Sequence, residues 1–371
     1  MKVNTISLNS VRLNTIALNH IGEIRSGGGG SKPSPIPQWI REHVVFYYDV
    51  KKQGATNETL KESAYLQDLS GKGRRMKLNN FLFDMMSGVD GYNNEAFNKS
   101  AGSSFEWELI DSRTIKGKAS QVFTDFGYYH IKDVTNNVMH INWHIDGIQE
   151  GNKVYLTQYT YNNFKIELHN GDNHVALDVS ENTDRPNYFY VSVISDQPYS
   201  TDITITQIPE YPGALVTDGV DDYGLVENLS SGVKMLFMTV NPIGDFNIGK
   251  MYYSQRYNPI DITPFYIFTG GTNIAYAGNR DGLTYINGVL NKSIKYNELF
   301  GVKHTITTVN DNVKPETSKA PSFFWEEGNT KNYCSRLAFY NSIAFDSIPT
   351  EADGFTEQEL IDYVITNIIG Q

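Results

Sequence analysis

From Trp39 onward the chain is a succession of short runs rich in Val, Ile, Tyr, Phe and Thr, separated by Asn, Asp and Gly; Val122 to Val134, Val154 to His169, Tyr188 to Ile194 and Ile203 to Ile208 are examples. β-branched and aromatic side chains suit a pleated, half-buried surface, and turn residues at this spacing mark the strands of a sandwich. The aromatic content points the same way, with 24 Tyr, 19 Phe and 4 Trp. The expected fold class is therefore all-β. One long helix stands out, at the end. Thr356 and Glu359 make a capping box, and Phe355, Leu360, Val364 and Ile368 recur on one face at helical spacing.

At 371 residues, 40% of them hydrophobic and 20% charged, the chain is long enough for two globular domains. Its net charge of -11 argues against nucleic acid or an anionic membrane as partner, since both are negative themselves. Cys334 is the sole cysteine, so no intrachain disulfide can form, and its expected role is that of a small buried hydrophobe. Asn4, Asn9, Asn14 and Asn19 interrupt any apolar run of signal-peptide length, and nothing elsewhere approaches a membrane span. Folding in a reducing cytoplasm is the expectation.

The same four Asn residues mark a repeat: NTISL, NSVRL, NTIAL and NHIGE. A period of five fits neither a helix nor a flat strand. The pattern resembles the pentapeptide-repeat family, in which such positions point into a square β-solenoid. One coil has no neighbour to bury its faces, so residues 1–25 are expected to order only against another copy, another domain or a larger particle. The anchoring side chains would be Ile6, Leu8, Val11, Leu13, Ile16, Leu18 and Ile21. Residues 26–37, SGGGGSKPSPIP, read as a Gly/Pro linker, and GGGGS also matches a fusion scar.

Four segments, taken in order, resemble landmarks of the laminin-G/concanavalin-like jelly roll. They are the turn Asp68-Leu-Ser-Gly71-Lys-Gly73 followed by Leu78 to Phe81, the stretch Ala214 to Tyr223 (ALVTDGVDDY), the hairpin Leu283 to Leu290 (LTYINGVL), and Arg336 to Asn341 followed by Phe355 to Ile361. Asp-Gly at 218–219 and Asn-Gly at 287–288 are expected to supply the positive φ angles of tight hairpins. The interval from Phe81 to Ala214 is far longer than the resemblance allows. We therefore expect a discontinuous jelly roll over 38–99 and 210–371, with an immunoglobulin-like β-sandwich inserted at 100–209.

Catalytic patterns are weak. Jelly-roll glycosidases set two carboxylates across the sugar bond, commonly as E-x-D-x-x-E on one strand, whereas Glu106, Glu108 and Asp111 have Glu where the Asp belongs and fall in the insert. His130, His140, His144, His169 and His174 concentrate there too, without the close pairs or Cys partners usual for zinc, and read as surface strand histidines. Asp218, Asp221 and Asp222 offer oxygens suited to calcium at a loop tip, and a turn that needs only Asp and Gly accounts for them equally well. Neither a phosphate loop nor a Gly-x-Ser-x-Gly elbow is present. The expectation is a non-enzyme without cofactor or bound metal.

The Asn/Leu-rich opening, the DLSGKG turn, the ALVTDGVDDYG stretch and the split layout together resemble structural proteins of tailed bacteriophages that infect gut Bacteroides, including crAss-like phages. That resemblance implies a head-fibre, tail-fibre or decoration protein in the virion, docked to capsid or tail proteins by its N-terminus and forming a homo-oligomer. It also implies contact with host glycans, for which Trp143 and Tyr161 are the candidate stacking aromatics. A cell-surface carbohydrate-binding module and, less favoured, a glycan-cleaving enzyme are the alternatives.

Overall fold

The computed structural model describes residues 36–97, 107–117, 123–130, 134–135, 138–150, 153–158, 165–178, 188–194, 202–229, 232–243, 251–255, 265–270, 274–277, 283–291, 296–310, 321–324 and 334–370. They are predominantly β, in four antiparallel sheets, so the all-β expectation holds. No helix among them is long and apolar enough to cross a membrane. The chain divides into two compact units. The first takes the described residues of Met1–Phe83, Ser87–Val89 and Gly213–Gln371, and the second takes those of Asp84–Met86 and Asp90–Pro212.

The first unit contains an eight-stranded and a seven-stranded sheet. Strand Leu337–Phe345 lies inside the larger one. Along one edge it pairs with Met235–Pro242, and along the other it pairs with both Val44–Asp49 and Leu215–Val216. These strands are buried almost without a break because both faces of the sheet are covered. Along Met235–Pro242, Leu236, Met238 and Val240 enter one core while Met235 and Phe237 enter another. The first core is completed by Met76, Leu78, Val226, Tyr253 and Phe323 of the seven-stranded sheet. There Phe323 meets Tyr253, Phe339 and Phe46 edge-on at centroid distances of 5.1, 5.7 and 5.9 Å, a favourable aromatic arrangement.

The second core is closed by helices. Trp39 and Ile40 come from the short helix Gln38–His43, and Leu360 and Ile361 from the terminal helix Glu357–Tyr363, which continues as π-helical turns over Val364–Ile369. The expected capping box is formed: Thr356 Oγ1 accepts from Glu359 N at 3.3 Å, and Glu359 Oε2 accepts from Thr356 N at 2.8 Å. At the other end the Ile368 carbonyl accepts from Lys52 Nζ at 2.5 Å and Tyr47 Oη at 3.3 Å, so the last carbonyls are not orphaned. Ile36 is buried in this core, so the linker expected through residue 37 ends before it; an aliphatic side chain beside a helix start has somewhere to pack.

The DLSGKG segment is a turn because Asp68 organises it. Its buried carboxylate accepts from three backbone amides, those of Tyr47 at 3.0 Å, Ser70 at 2.9 Å and Arg74 at 3.0 Å, while Gly71 and Gly73 take positive φ. Asn287 and Gly288 likewise have φ of 50° and 84°, closing the hairpin Leu283–Ile286 to Val289–Leu290. The Asp218–Gly219 expectation is corrected. The strands on either side of it, Leu215–Val216 and Tyr223–Val226, lie in different sheets, so the segment is a crossing between sheets and not a hairpin.

In the second unit, strands Gly171–Asp178, Val138–Asp146, Ile203–Gln207, Thr114–Gly117 and Trp107–Asp111 line up in one sheet, with Val134–Thr135 added beside Val138–Asp146. Lys165–Leu168, Lys153–Gln158, Tyr188–Ile194 and Phe123–His130 form the other. Strict alternation buries Ile203, Ile205 and Gln207, and the Gln207 amide is satisfied by Arg113 at 2.7 Å and by the Glu95 carbonyl at 2.7 Å.

Replacing Asp68 with Ala removes the acceptor for three amides at once. Each buried donor left unsatisfied costs about 1–3 kcal/mol, so Asp68→Ala is expected to lower the unfolding free energy of the first unit by about 3 kcal/mol or more. Urea titration followed by tryptophan fluorescence checks this, and an unchanged midpoint would contradict the role given to Asp68.

Candidate functional site

Strand Val138–Asp146 of the second unit alternates buried and more exposed side chains. Ile141, Trp143 and Ile145 are fully buried, while His140 and Asp146 are exposed and Asn142 and His144 half-buried. Trp143 is therefore not a glycan-stacking surface residue, contrary to expectation. A period of two places it in phase with two isoleucines, and its ring lies 6.1 Å from that of Phe97. The other proposed contact, Tyr161, and the anchor residues Ile6, Leu8, Val11, Leu13, Ile16, Leu18 and Ile21 lie outside the described residues.

The open face of this strand is polar. His144 Nδ1 lies 2.5 Å from Asp172 Oδ1 and its Nε2 lies 3.2 Å from Asp146 Oδ2. A carboxylate beside each ring nitrogen favours the imidazolium form, in which both nitrogens donate. The hydrogen bond to Asp172 and the adjacent carboxylates accordingly hold His144 above the ordinary histidine range. His174 Nδ1 is 2.9 Å from Asn142 Oδ1, and Asn142 Nδ2 in turn donates to Glu210. These polar contacts on an exposed strand face describe a solvated sheet surface.

Among the described residues, one group of His, Cys, Asp or Glu has the spacing to hold a metal ion, and it is in the first unit: Asp218, Asp221 and Asp222, whose oxygens lie within 4.8 Å of one another. The crossing between the sheets brings them together. Thr217 ties its start to the last strand, donating from N to the Leu337 carbonyl at 3.0 Å and from Oγ1 to the Ser335 carbonyl at 2.6 Å. Asp218 then folds the chain over itself, with Oδ1 accepting from Val220 N at 2.7 Å and Asp221 N at 3.3 Å. Gly219 is required by φ of +77° and by space, since a Cβ there would stand 2.8 Å from Cβ of Arg336.

Asp222 is the unusual member. Its residue is fully buried; Oδ2 accepts from Asp218 N at 2.9 Å, and Oδ1 has no hydrogen-bond partner among the described residues. Burial and then the charge of Asp218 push its carboxyl up to about 7. Hydrogen bonds from the Asp218 backbone and the Ser87 side chain offset part of this rise. The sequence carried a signal for this burial: Asp222 is in phase with Gly224 and Val226, the inward positions of strand Tyr223–Val226. Glu108 and Asp111, by contrast, are exposed on the edge strand Trp107–Asp111.

Comparison with protein families, with characterised proteins and with solved structures finds no match to this chain.

Two outcomes follow from this geometry. Trp143→Ala should destabilise the second unit by about 3–5 kcal/mol, the cost of emptying a large core site, read as a lowered unfolding midpoint. For Asp222, the folded carboxyl titrates near 7 and the unfolded one near 3.8, so between those values the folded state holds a proton that the unfolded state has lost. Stability in a chelating buffer should thus fall as pH rises across that window, and Asp222→Asn should flatten the slope. An identical slope in wild type and variant would assign the pH dependence elsewhere.

Proposed function

We propose that this chain is a non-enzymatic virion structural protein, a fibre or decoration subunit held to capsid or tail proteins by residues 1–25 and contacting host-surface glycans. The observation that carries the reading is where the second unit joins the first. The chain leaves the first unit at Val89 and returns at Gly213, and these points sit on neighbouring antiparallel strands, with Val89 opposite Leu215 and Gly88 opposite Val216. Chain ends this close allow a whole unit to be carried on a loop at little conformational cost, a layout suited to display. Two antiparallel sheets over a shared core, with the Asp68 turn and the Asn287–Gly288 hairpin in sequence order, support a laminin-G/concanavalin-like jelly roll as the identity of the first unit.

The N-terminal repeat supplies the other half of the argument. Seven large aliphatic side chains in about twenty residues, each worth about 1.5–3 kcal/mol when buried, are enough to hold a subunit after ordering costs. Homo-oligomerisation through the same segment would multiply weak glycan contacts into useful avidity. Tyr161 is the remaining aromatic assigned to that contact.

Deleting residues 1–25 is expected to leave a soluble, folded protein that neither oligomerises nor enters particles. Particle incorporation measured by immunoblot of purified virions decides the matter, and normal incorporation of the deletion variant would refute the anchor. Glycan-array binding by the full-length oligomer, reduced in Tyr161→Ala, tests the ligand class. Turnover of any arrayed glycan would replace this reading with an enzymatic one.

A further inference from the structure

We propose that Asn287–Gly288, at the tip of the hairpin joining Leu283–Ile286 to Val289–Leu290, is a self-modifying site, where the Asn287 amide is lost as ammonia and replaced by aspartate or isoaspartate. The proposal is independent of where the protein is displayed. Attack by the following backbone nitrogen needs a residue after Asn with no Cβ in the way, and Gly288 is that residue. The fold adds two groups that an isolated Asn-Gly peptide lacks. Thr305 N donates to Asn287 Oδ1 at 2.8 Å, and His304 Nδ1 lies 3.2 Å from Asn287 Nδ2. One faces the oxygen that gains charge during the reaction, and the other faces the nitrogen that departs. Asn287 is exposed, so water reaches it.

The Gly288 nitrogen gives its proton to solvent and bonds to Asn287 Cγ, and the carbonyl electron pair moves onto Oδ1 against the Thr305 N–H. Nδ2, which accepts no hydrogen bond as an amide nitrogen, becomes a basic amine once Cγ is tetrahedral. The imidazolium form of His304 then donates its Nδ1 proton, the Cγ–Nδ2 bond breaks, ammonia leaves, and solvent reprotonates the ring. One water opens the resulting succinimide at either carbonyl, giving aspartate or isoaspartate. Bringing the Gly288 nitrogen to Cγ turns that peptide out of its hairpin geometry and releases the Gln358 Nε2 bond to the Gly288 carbonyl at 3.0 Å. The opening is local, because Val289–Leu290 is a two-residue edge strand paired with Leu283–Ile286 alone among the described residues. The product places a negative charge at the hairpin tip and, as isoaspartate, lengthens the backbone of a turn built for two residues.

Asn170–Gly171 is the other Asn-Gly step of the chain and serves as an internal control. Asn170 is exposed as well, but its Nδ2 donates to the Ile148 carbonyl at 2.8 Å, a group with no proton to return. Burial holds the His304 ring below the ordinary histidine range, with a backbone hydrogen bond at Glu298 opposing, so the imidazolium is most available in mild acid. The full chain is therefore incubated at about pH 6, folded or unfolded in guanidinium, and both sites are followed by peptide mass spectrometry and isoaspartate labelling. Dividing the Asn287-to-Asn170 rate ratio of the folded protein by that of the unfolded chain cancels the effect of neighbouring sequence. The quotient should be about tenfold, short of the roughly hundredfold or more that a fully positioned acid contributes. His304→Gln, shown to be folded by circular dichroism, should bring it close to one without changing the Asn170 rate. Should that variant fail to fold, the wild-type quotient decides alone. A wild-type quotient of one or less, or an unchanged quotient in folded His304→Gln, overturns the proposal and leaves Asn287 as a turn residue.

Discussion

Hydrogen bonding along both edges of strand Leu337–Phe345 is the interaction on which the first unit depends. Met235–Pro242 occupies one edge, and the other is shared end to end by Val44–Asp49 and Leu215–Val216. Three stretches of chain far apart in sequence are thereby fixed to one backbone. The strand links Val44–Asp49, before the second unit, with Leu215–Val216 and Met235–Pro242, after it. Such long-range pairing is entropically costly to close and is rewarded only when the faces of the sheet are also buried.

That burial is achieved on both sides. Alternate side chains of a single strand feed two cores, one shared with the seven-stranded sheet and one with the helices at either end of the first unit's chain. Leu360, Val364 and Ile368 do for the outer face what Phe323 and Tyr253 do for the inner one. Polar groups caught in this arrangement are mostly resolved by short-range partners, as with Asp68 and its three amides or Ser342 Oγ on the Phe237 carbonyl at 2.8 Å. Among the described residues Asp222 is the one carboxylate with a buried oxygen left unpaired, beside amide and hydroxyl atoms such as Asn241 Oδ1, Thr307 Oγ1 and Asn341 Oδ1.

Several elements were legible in the sequence because their causes are local. The capping box at Thr356 and Glu359 and the Asp68-Leu-Ser-Gly-Lys-Gly turn arise from side chains acting on backbone a few residues away, and the Asn287–Gly288 pair from residue types that accept positive φ. Alternation along a strand is equally local, and Trp143 would have been placed correctly had its phase with Ile141 and Ile145 been followed in place of its chemistry. Local pattern also identified Asp218, Asp221 and Asp222 as oxygen donors on one turn.

What the amino-acid sequence determined by itself was the β character of the chain, the turns, the terminal helix and the set of acidic side chains at 218–222. Only the tertiary structure decided that Asp218–Gly219 crosses between sheets instead of closing a hairpin, because strand pairing is settled by partners more than a hundred residues away, Phe339 for Leu215 and Leu78 for Gly224. It also decided that Asp222 is buried with one oxygen unpaired, since burial is a property of what packs above a residue and not of the residue. The acidic turn was written in the sequence; its enclosure came from the fold.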